Sequence, residues 1–155
     1  MSYTAARAVH LYFSAKAVIV APMHVNHAGI YFEQAEVRFF TNADSKQLGV
    51  AFREAYERFS VSDAPLQGRS KTEWPAFLAS GMRSVREFEK AYRPVQCLAL
   101  NLSNTIVRAS VAHPARPNVE ISTSFNPLLS FEVVGEHLLQ VVAAAAAADA
   151  DADAT

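Results

Sequence analysis

Positive charge and aromatic side chains are concentrated in residues 68–93, GRSKTEWPAFLASGMRSVREFEKAYR. This stretch contains the chain's single tryptophan, Trp74, and six basic side chains: Arg69, Lys71, Arg83, Arg86, Lys90 and Arg93. Lysine and arginine neutralise phosphates, and an exposed aromatic ring can stack on a base. One hypothesis is therefore a small nucleic-acid-binding domain that uses the basic stretch from Arg69 to Arg93.

Histidines offer a second kind of chemistry. His24 and His27 lie in the segment HVNH, but no cysteine or acidic cluster supplies an obvious second pair of ligands. This pattern favours a polar turn over a metal site. A small enzyme with its site at His24, His27 or His113 is a rival hypothesis, in which Glu33 and Glu36 could take part in acid–base catalysis.

The single cysteine, Cys97, alternates with Val95 and Ala99 in a run that reads as a strand. This placement favours a small buried hydrophobe over a nucleophile. One cysteine cannot form an internal disulfide, as expected in a reducing compartment. The sequence has no G-x-S-x-G elbow, P-loop or G-x-G-x-x-G phosphate cradle. We therefore predict a cytoplasmic protein, and these motifs predict no cofactor or metal.

Length and composition predict one globular domain. The chain has 155 residues, of which 51% are hydrophobic and 19% charged; a chain of this length buries roughly 70% of its unfolded surface. Its formal net charge of −1 lacks the basic excess of a nucleic-acid-binding domain. Arg7, His10 and Lys16 interrupt the first apolar run, so we expect no signal peptide. We also expect no stretch near the roughly 20 apolar residues that span a bilayer.

Alternation and β-branched residues predict the strands. We expect one at residues 7–13 and a second, AVIVAPM, that Pro22 ends. Residues 30–40 follow a turn and predict one long bent strand or two short ones. A hairpin is expected from VQCLALNL and TIVRASVA, turning at Ser103 and Asn104, and NVEISTSF predicts a further strand.

Two amphipathic helices are predicted, at residues 44–59 and 130–148. Asp44 and Gln47 form a capping box at the start of the first, and Ser130 caps the second. Both helices contain a cap, an aliphatic–glycine pair (at Gly49 and Gly135) and the same apolar spacing. This similarity is either a weak half-repeat or a coincidence between two amphipathic helices. Alternating Asp and Ala predict a disordered tail at residues 149–155, after a single domain at residues 1–148.

The basic stretch itself reads as two short helices. Pro75 is tolerated in the first turn of one helix and Gly81 ends it, whereas Ser84 caps the next and Pro94 stops it. The apolar side chains at helical spacing are Trp74, Phe77, Val85, Phe88 and Tyr92. This spacing predicts that they face the core, which argues against base stacking.

The order of these motifs resembles a known family. QLGVAFREAYERF is followed by a Trp-x-x-Phe and Gly-Met-Arg-Ser segment with Phe-Glu-Lys, then by a hairpin and by VVGEHLLQVV. Over residues 42–142 this order resembles immunity proteins of bacterial contact-dependent growth-inhibition systems. The resemblance implies a non-enzymatic cytoplasmic protein that binds the C-terminal toxin domain of a large exported effector, one to one. It implies no membrane or direct nucleic-acid partner.

The resemblance further implies that the toxin is a nuclease and that the immunity protein blocks its active site or substrate surface. A nuclease presents basic groups around its phosphate-binding site, so an inhibitor can use carboxylates in loops and on exposed strand faces. The toxin-binding candidates are Glu33, Glu36, Asp63, Glu73 and Glu120, with Tyr31 or Phe32 as apolar anchors. The predicted fold is α+β: a mostly antiparallel sheet of about five or six strands, with the two main helices and the short helices packed on it.

Overall fold

A mixed sheet, antiparallel except at one short pairing, forms the centre of the fold. The computed structural model describes residues 5–63, 73–99, 101, 104–110 and 120–154. Within them the strands are β1 Ala8–Phe13, β2 Ala17–Val25, β3 Tyr31–Glu33, β4 Arg38–Thr41, β5 Ser60–Val61, β6 Arg93–Ala99, β7 Thr105–Ser110 and β8 Glu120–Phe125. The helices are α1 Ser45–Glu57, α2 Pro75–Ser80, α3 Val85–Ala91 and α4 Phe131–Ala154.

The strand order is β3-β2-β1-β6-β7-β8, and the short strands β4 and β5 also pair with β2. Strands β1 to β4 and strands β6 to β8 are two local antiparallel units. One long-range pairing joins them, in which Val9 lies opposite Cys97 and Leu11 opposite Val95. The predicted α+β fold is thus confirmed. The described residues contain eight strands rather than five or six, because β4 and the parallel pair β2–β5 add short segments at the side of the sheet.

Helices α1 and α4 cover one face of the sheet and enclose the main core. Side chains two residues apart on β1 and β6 point toward these helices: Val9, Leu11, Phe13, Val95 and Cys97. They pack against Leu48 and Phe52 of α1 and Val134, Leu138 and Val141 of α4, all inward-facing. The predicted capping box of α1 is present. The Asp44 side chain accepts a hydrogen bond from the backbone N–H of Gln47, and the Gln47 side chain accepts one from the backbone N–H of Asp44.

Helices α1 and α4 cross at two glycines. A Cβ added to Gly49 would lie 1.8 Å from the carbonyl oxygen of Phe131, and a Cβ on Gly135 would lie 1.8 Å from that of Ser45. Each glycine therefore contacts the residue four positions before the other glycine. This reciprocal contact gives the shared aliphatic–glycine pairs a physical role, because only glycine lets the two backbones approach so closely.

Strand β2 does not end at Pro22, contrary to the sequence-based prediction; it continues to Val25. The carbonyl of Pro22 accepts from the backbone N–H of Gln34, so the proline nitrogen points to the same side of the strand. On that side the pairing with β4 stops at Val20 and the pairing with β3 begins at Met23. The missing N–H therefore falls in a gap between two strands, where proline removes no ladder hydrogen bond.

Helix α4 is longer than the sequence predicted. It continues to Ala154 instead of ending at Ala148, and Asp149 forms an ion pair with Arg93 at the start of β6. Its alanine content explains the extension, since alanine has the highest helix propensity. By length and composition, residues Phe131–Ala150 could also cross a membrane, which the sequence analysis did not expect. One stripe of this span packs in the core, and core helices pass the same test.

Candidate protein-binding site

Helices α2 and α3 cover part of the other face of the sheet with an aromatic cluster. Tyr12 and Ile19 from the sheet pack against Trp74, Phe77 and Phe88. The Trp74 and Phe88 rings meet edge to face with centroids 4.9 Å apart, and Tyr92 stacks on Phe88 at 5.0 Å. The prediction that the aromatic side chains of the basic stretch face inward is confirmed. Local signals also confirm the short helices: Pro75 begins α2, Gly81 ends it with φ of 69°, and Ser84 caps α3.

Glu33 joins this aromatic cluster to the sheet. One carboxylate oxygen accepts hydrogen bonds from the Tyr12 hydroxyl at 2.5 Å and the Trp74 indole at 3.0 Å, and the other accepts from the backbone N–H of Ala76 at 3.0 Å. The Glu33 residue is only 7% exposed. Since Ala76 lies in the first turn of α2, Glu33 satisfies an N–H group that the helix itself leaves unpaired. Buried charge is tolerated here because each donor points at the carboxylate.

Burial corrects the sequence-based expectation for two candidates. Glu33 and Phe32 were expected on an exposed strand face, but Phe32 is 9% exposed and packs its ring 5.2 Å from that of His24. Packing of α2 against β3 covers Glu33, and this long-range contact leaves no trace in local sequence periodicity. Both side chains are therefore buried, Glu33 under α2 and Phe32 beside His24.

The remaining candidates are spread over the molecule. Tyr31 donates its hydroxyl to the carbonyl of Ala6 and stacks on Phe59. Glu36 is exposed and lies 3.5 Å from Arg58. Glu73 is exposed beside the start of α2, and Glu120 is exposed at the start of β8, on the opposite edge of the sheet from β3. These candidates do not form one surface.

Asp63 lies with two histidines at the β2–β5 end of the sheet. Its carboxylate contacts His27 Nδ1 at 2.6 Å, and this hydrogen bond is the main reason that the pKa of Asp63 is lowered. His24 Nδ1 lies 2.6 Å from the Ser60 hydroxyl. Burial, and then the positive charge of Arg58, lower the pKa of His24. These pairs attach β5 to β2.

The structure also bears on metal binding and on Cys97, whereas His113 lies outside the described residues. Within the described ranges, no group of three or more His, Cys, Asp or Glu side chains could hold a metal ion. Cys97 is 1% exposed. Burial raises the pKa of its thiol to about 12, so it behaves as the predicted small hydrophobe.

The basic stretch does not present the features of a base-stacking surface. Trp74 is 5% exposed, so its ring is not available as a platform. Arg83, Arg86 and Lys90 are exposed, whereas Arg93 pairs with Asp149. The other two basic residues of the stretch, Arg69 and Lys71, lie outside the described residues.

A groove of about 290 Å³ lies between α3 and the strands β1 and β6. Its aromatic side chains are Tyr12, Trp74, Phe88 and Tyr92, and its polar ones are His10, Glu89 and Gln96. His10 and Gln96 are paired in register across β1 and β6 on the face that α1 and α4 leave uncovered. Apolar walls with a few polar groups are typical of binding sites. No local sequence pattern indicates this groove, because it forms only where α3 packs beside two strands that are distant from each other in sequence.

Comparison with known proteins gives similarity in structure but not in sequence. No family model matches the chain, and no curated protein matches it. One similar solved structure is a protein of unknown function from Neisseria meningitidis, with a TM-score of 0.66 and 12% identity, covering 92% of this chain and 98% of that one. Another is the CdiA-CT/CdiI toxin and immunity complex from Yersinia pseudotuberculosis, with a TM-score of 0.66, 8% identity and the same coverages.

These similarities show a shared fold. At 8% and 12% identity, the similarity does not extend to the side chains of a functional site. The chain therefore has the fold of a component of a toxin and immunity complex, and its function must be argued from its own residues.

Proposed function

We propose that this protein is an immunity protein that binds and neutralises the toxin domain of a contact-dependent growth-inhibition system. The observation that carries the proposal is the end-to-end similarity of its fold to a chain of a toxin and immunity complex, over 92% of this chain and 98% of that chain. The motif order in residues 42–142, identified from sequence, independently led to the same class of protein.

The groove supports a binding function. It combines an aromatic floor with polar groups from β1, β6 and α3, a composition that resembles the centre of a protein interface. The protein acts by occupying its partner, one to one, in the cytoplasm of the cell that makes it. It needs no cofactor for this activity.

The toxin that we propose is a nuclease, and inhibition blocks its active site or its substrate surface. A nuclease binds the phosphate backbone through basic side chains. Acidic groups on the inhibitor would steer association with that basic surface and compete with the nucleic acid for it. The exposed carboxylates Glu36, Asp63, Glu73 and Glu120 stay candidates for such steering.

The proposal is tested by expressing this protein with the toxin domain encoded next to its gene. We expect it to restore growth of cells that produce that domain and to co-purify with it in a 1:1 ratio. A toxin domain from an unrelated system serves as the specificity control and should remain lethal. Failure of both rescue and co-purification with the neighbouring toxin would reject the proposed function.

A further inference from the structure

We propose that the outer edge of β8, together with the neighbouring side of α4, is a homodimer interface that a second copy of this chain occupies. The dimer goes beyond the proposed function and does not rest on it, because no toxin residue takes part. Each copy keeps its groove, which lies on the other face of the sheet.

Strand β8 is an unprotected edge of the sheet. It pairs with β7 over all six of its residues, and no other described strand pairs with it. Its sequence, EISTSF, contains no proline or lysine, and its register with β7 has no bulge. Edge strands usually carry one of these devices, or are very short, because open backbone groups otherwise pair with another chain. The strands β3, β4 and β5 at the other side of the sheet are short, with three, four and two residues.

Alternation along the strands determines which backbone groups of β8 face outward. The N–H of Ala99 in β6 donates to the carbonyl of Arg7, on the β1 side, so its partner Thr105 in β7 points away from β6 and toward β8. Thr105 is paired in turn with Phe125, which therefore bonds inward to β7. The alternate residues of β8 point their N–H and C=O groups outward: Glu120, Ser122 and Ser124.

Two copies of β8 can satisfy all these outward groups. A two-fold axis through Ser122, perpendicular to the sheet, places Ser122 opposite its own counterpart and Glu120 opposite Ser124 of the second copy. Each outward residue then donates one backbone hydrogen bond and accepts one. The only charged side chain of the strand, Glu120, lies opposite a serine, so no like charges meet.

Helix α4 presents an uncharged side toward this edge. The His137 ring stacks on Phe125 of β8 with centroids 5.0 Å apart, so this side of the helix faces β8. The residues that share this side by helical spacing form the α4 flank: Val133, His137, Gln140, Ala144 and Ala148. None of them carries a permanent charge, whereas Glu132 and Glu136 lie on other sides of the helix. Val133, Gln140 and Ala144 are exposed in the single chain.

Two contacts align α4 with β8. His137 lies level with Phe125, at the end of the strand. Asp149 pairs with Arg93 at the start of β6, a level that the strand register places six residues before Phe125. The helix therefore runs antiparallel to β8, and the two elements are aligned at both ends.

The two-fold axis also brings the two α4 helices together. Ser122 is halfway between the two aligned levels, and the flank residue nearest the corresponding point of the helix is Ala144. Because α4 contacts both β7 and β8, its axis lies about half a strand spacing inside β8. With strands about 4.8 Å apart, the two helix axes lie about 10 Å apart, a distance at which helices pack. A small side chain, alanine, occupies the point of closest approach.

Sedimentation velocity of the full chain, without toxin, tests the dimer. We expect the proportion of dimer to increase with concentration between about 1 and 200 µM. Ala144→Glu should weaken dimerisation about tenfold or more, because it brings two negative charges together at the closest approach of the helices. Ala143→Glu is the matched control, since Ala143 is also exposed but lies outside the flank; it should change the dissociation constant less than about twofold. Circular dichroism checks that each variant is folded.

Single cysteines test the register. In Ser122→Cys the two copies of position 122 have Cα atoms about 5.5 Å apart, whereas in Ser124→Cys the two copies of position 124 are roughly 14 Å apart. A short bismaleimide should therefore cross-link Ser122→Cys into a covalent dimer and leave Ser124→Cys monomeric. Both serines are exposed, and the native Cys97 is only 1% exposed, so it should not react.

Three results would overturn the proposed dimer. These are a wild-type chain that stays monomeric over the whole concentration range, equal dimerisation of Ala144→Glu and Ala143→Glu, and equal cross-linking of the two cysteine variants. Because these measurements contain no toxin, none of the three results affects rescue or co-purification, which test the proposed function separately.

Discussion

The crossing of α1 and α4 predicts that alanine, normally the better helix former, destabilises this protein at Gly49 and Gly135. A Cβ at Gly49 would meet backbone atoms of Phe131: the carbonyl oxygen at 1.8 Å, the carbonyl carbon at 2.5 Å and Cα at 2.8 Å. A real Cβ contact requires about 3.0 Å, so the helices must separate by about 1.2 Å. No side-chain rotation can relieve the clash, because the obstructing atoms are backbone.

The magnitude follows from two opposing effects. Overpacking typically destabilises by about 1 to 3 kcal/mol, and a backbone clash lies at the upper end of that range. Replacing glycine by alanine inside a helix returns about 1 kcal/mol. We therefore expect Gly49→Ala to lower the free energy of unfolding by about 2 kcal/mol, which corresponds to about 4 to 8 °C in Tm for a domain of this size. Gly135→Ala should act similarly, because its Cβ would lie 1.8 Å from the oxygen of Ser45.

Urea unfolding, followed by circular dichroism and by Trp74 fluorescence, measures these free energies. Gly81→Ala is the control, since a Cβ there has no atom within 4 Å and only the φ of 69° opposes it; it should cost about 1 kcal/mol. The double variant Gly49→Ala/Gly135→Ala should lose less than the sum of the two single variants, because one separation of the helices accommodates both methyl groups. A stabilising Gly49→Ala, as helix propensity alone would give, would refute the close crossing.

Three further predictions concern buried or titrating groups. Glu33→Gln should lower the free energy of unfolding, measured in urea, by about 2 to 3 kcal/mol, because an amide donor replaces one charged acceptor in the cluster of Tyr12, Trp74 and Ala76. An unchanged free energy would mean that the carboxylate does not hold α2 on the sheet. Because the pKa of His24 is lowered in the folded protein, the unfolded chain binds this proton more readily, and stability should fall as pH decreases below 6.5. His24→Gln should reduce this loss of stability, measured as Tm from pH 7.5 to 5. Equal pH dependence of Tm in both proteins would contradict this reasoning. Cys97 should react with a thiol reagent only in denaturant, at pH 8, because burial raises its pKa to about 12; rapid reaction of the folded protein would show that the β6 core is open.

Features set by local chemistry were predictable from the sequence. The capping box of Asp44 and Gln47, the proline and glycine that bound α2, and the inward aromatic stripe depend on neighbours within a few residues. Their prediction needed no knowledge of the sheet.

Features set by distant contacts were not predictable. Pro22 remains inside β2 only because β3 and β4 leave a gap opposite its nitrogen. Glutamate is a residue type that usually lies on the surface. Glu33 is buried because Trp74 and Ala76, some forty positions away in sequence, donate hydrogen bonds to it. The groove depends on the same kind of contact, and so no local sequence pattern points to it.

The long-range pairing of β1 with β6 also has a consequence for how the chain folds. Each local antiparallel unit can form early, since neighbouring strands close short loops at low entropic cost. Pairing Val9 with Cys97 requires a much longer loop to close before any contact across that seam forms. We expect this docking of the two units to limit the folding rate, so that substitutions along the β1–β6 seam slow refolding while those in β8 mainly accelerate unfolding.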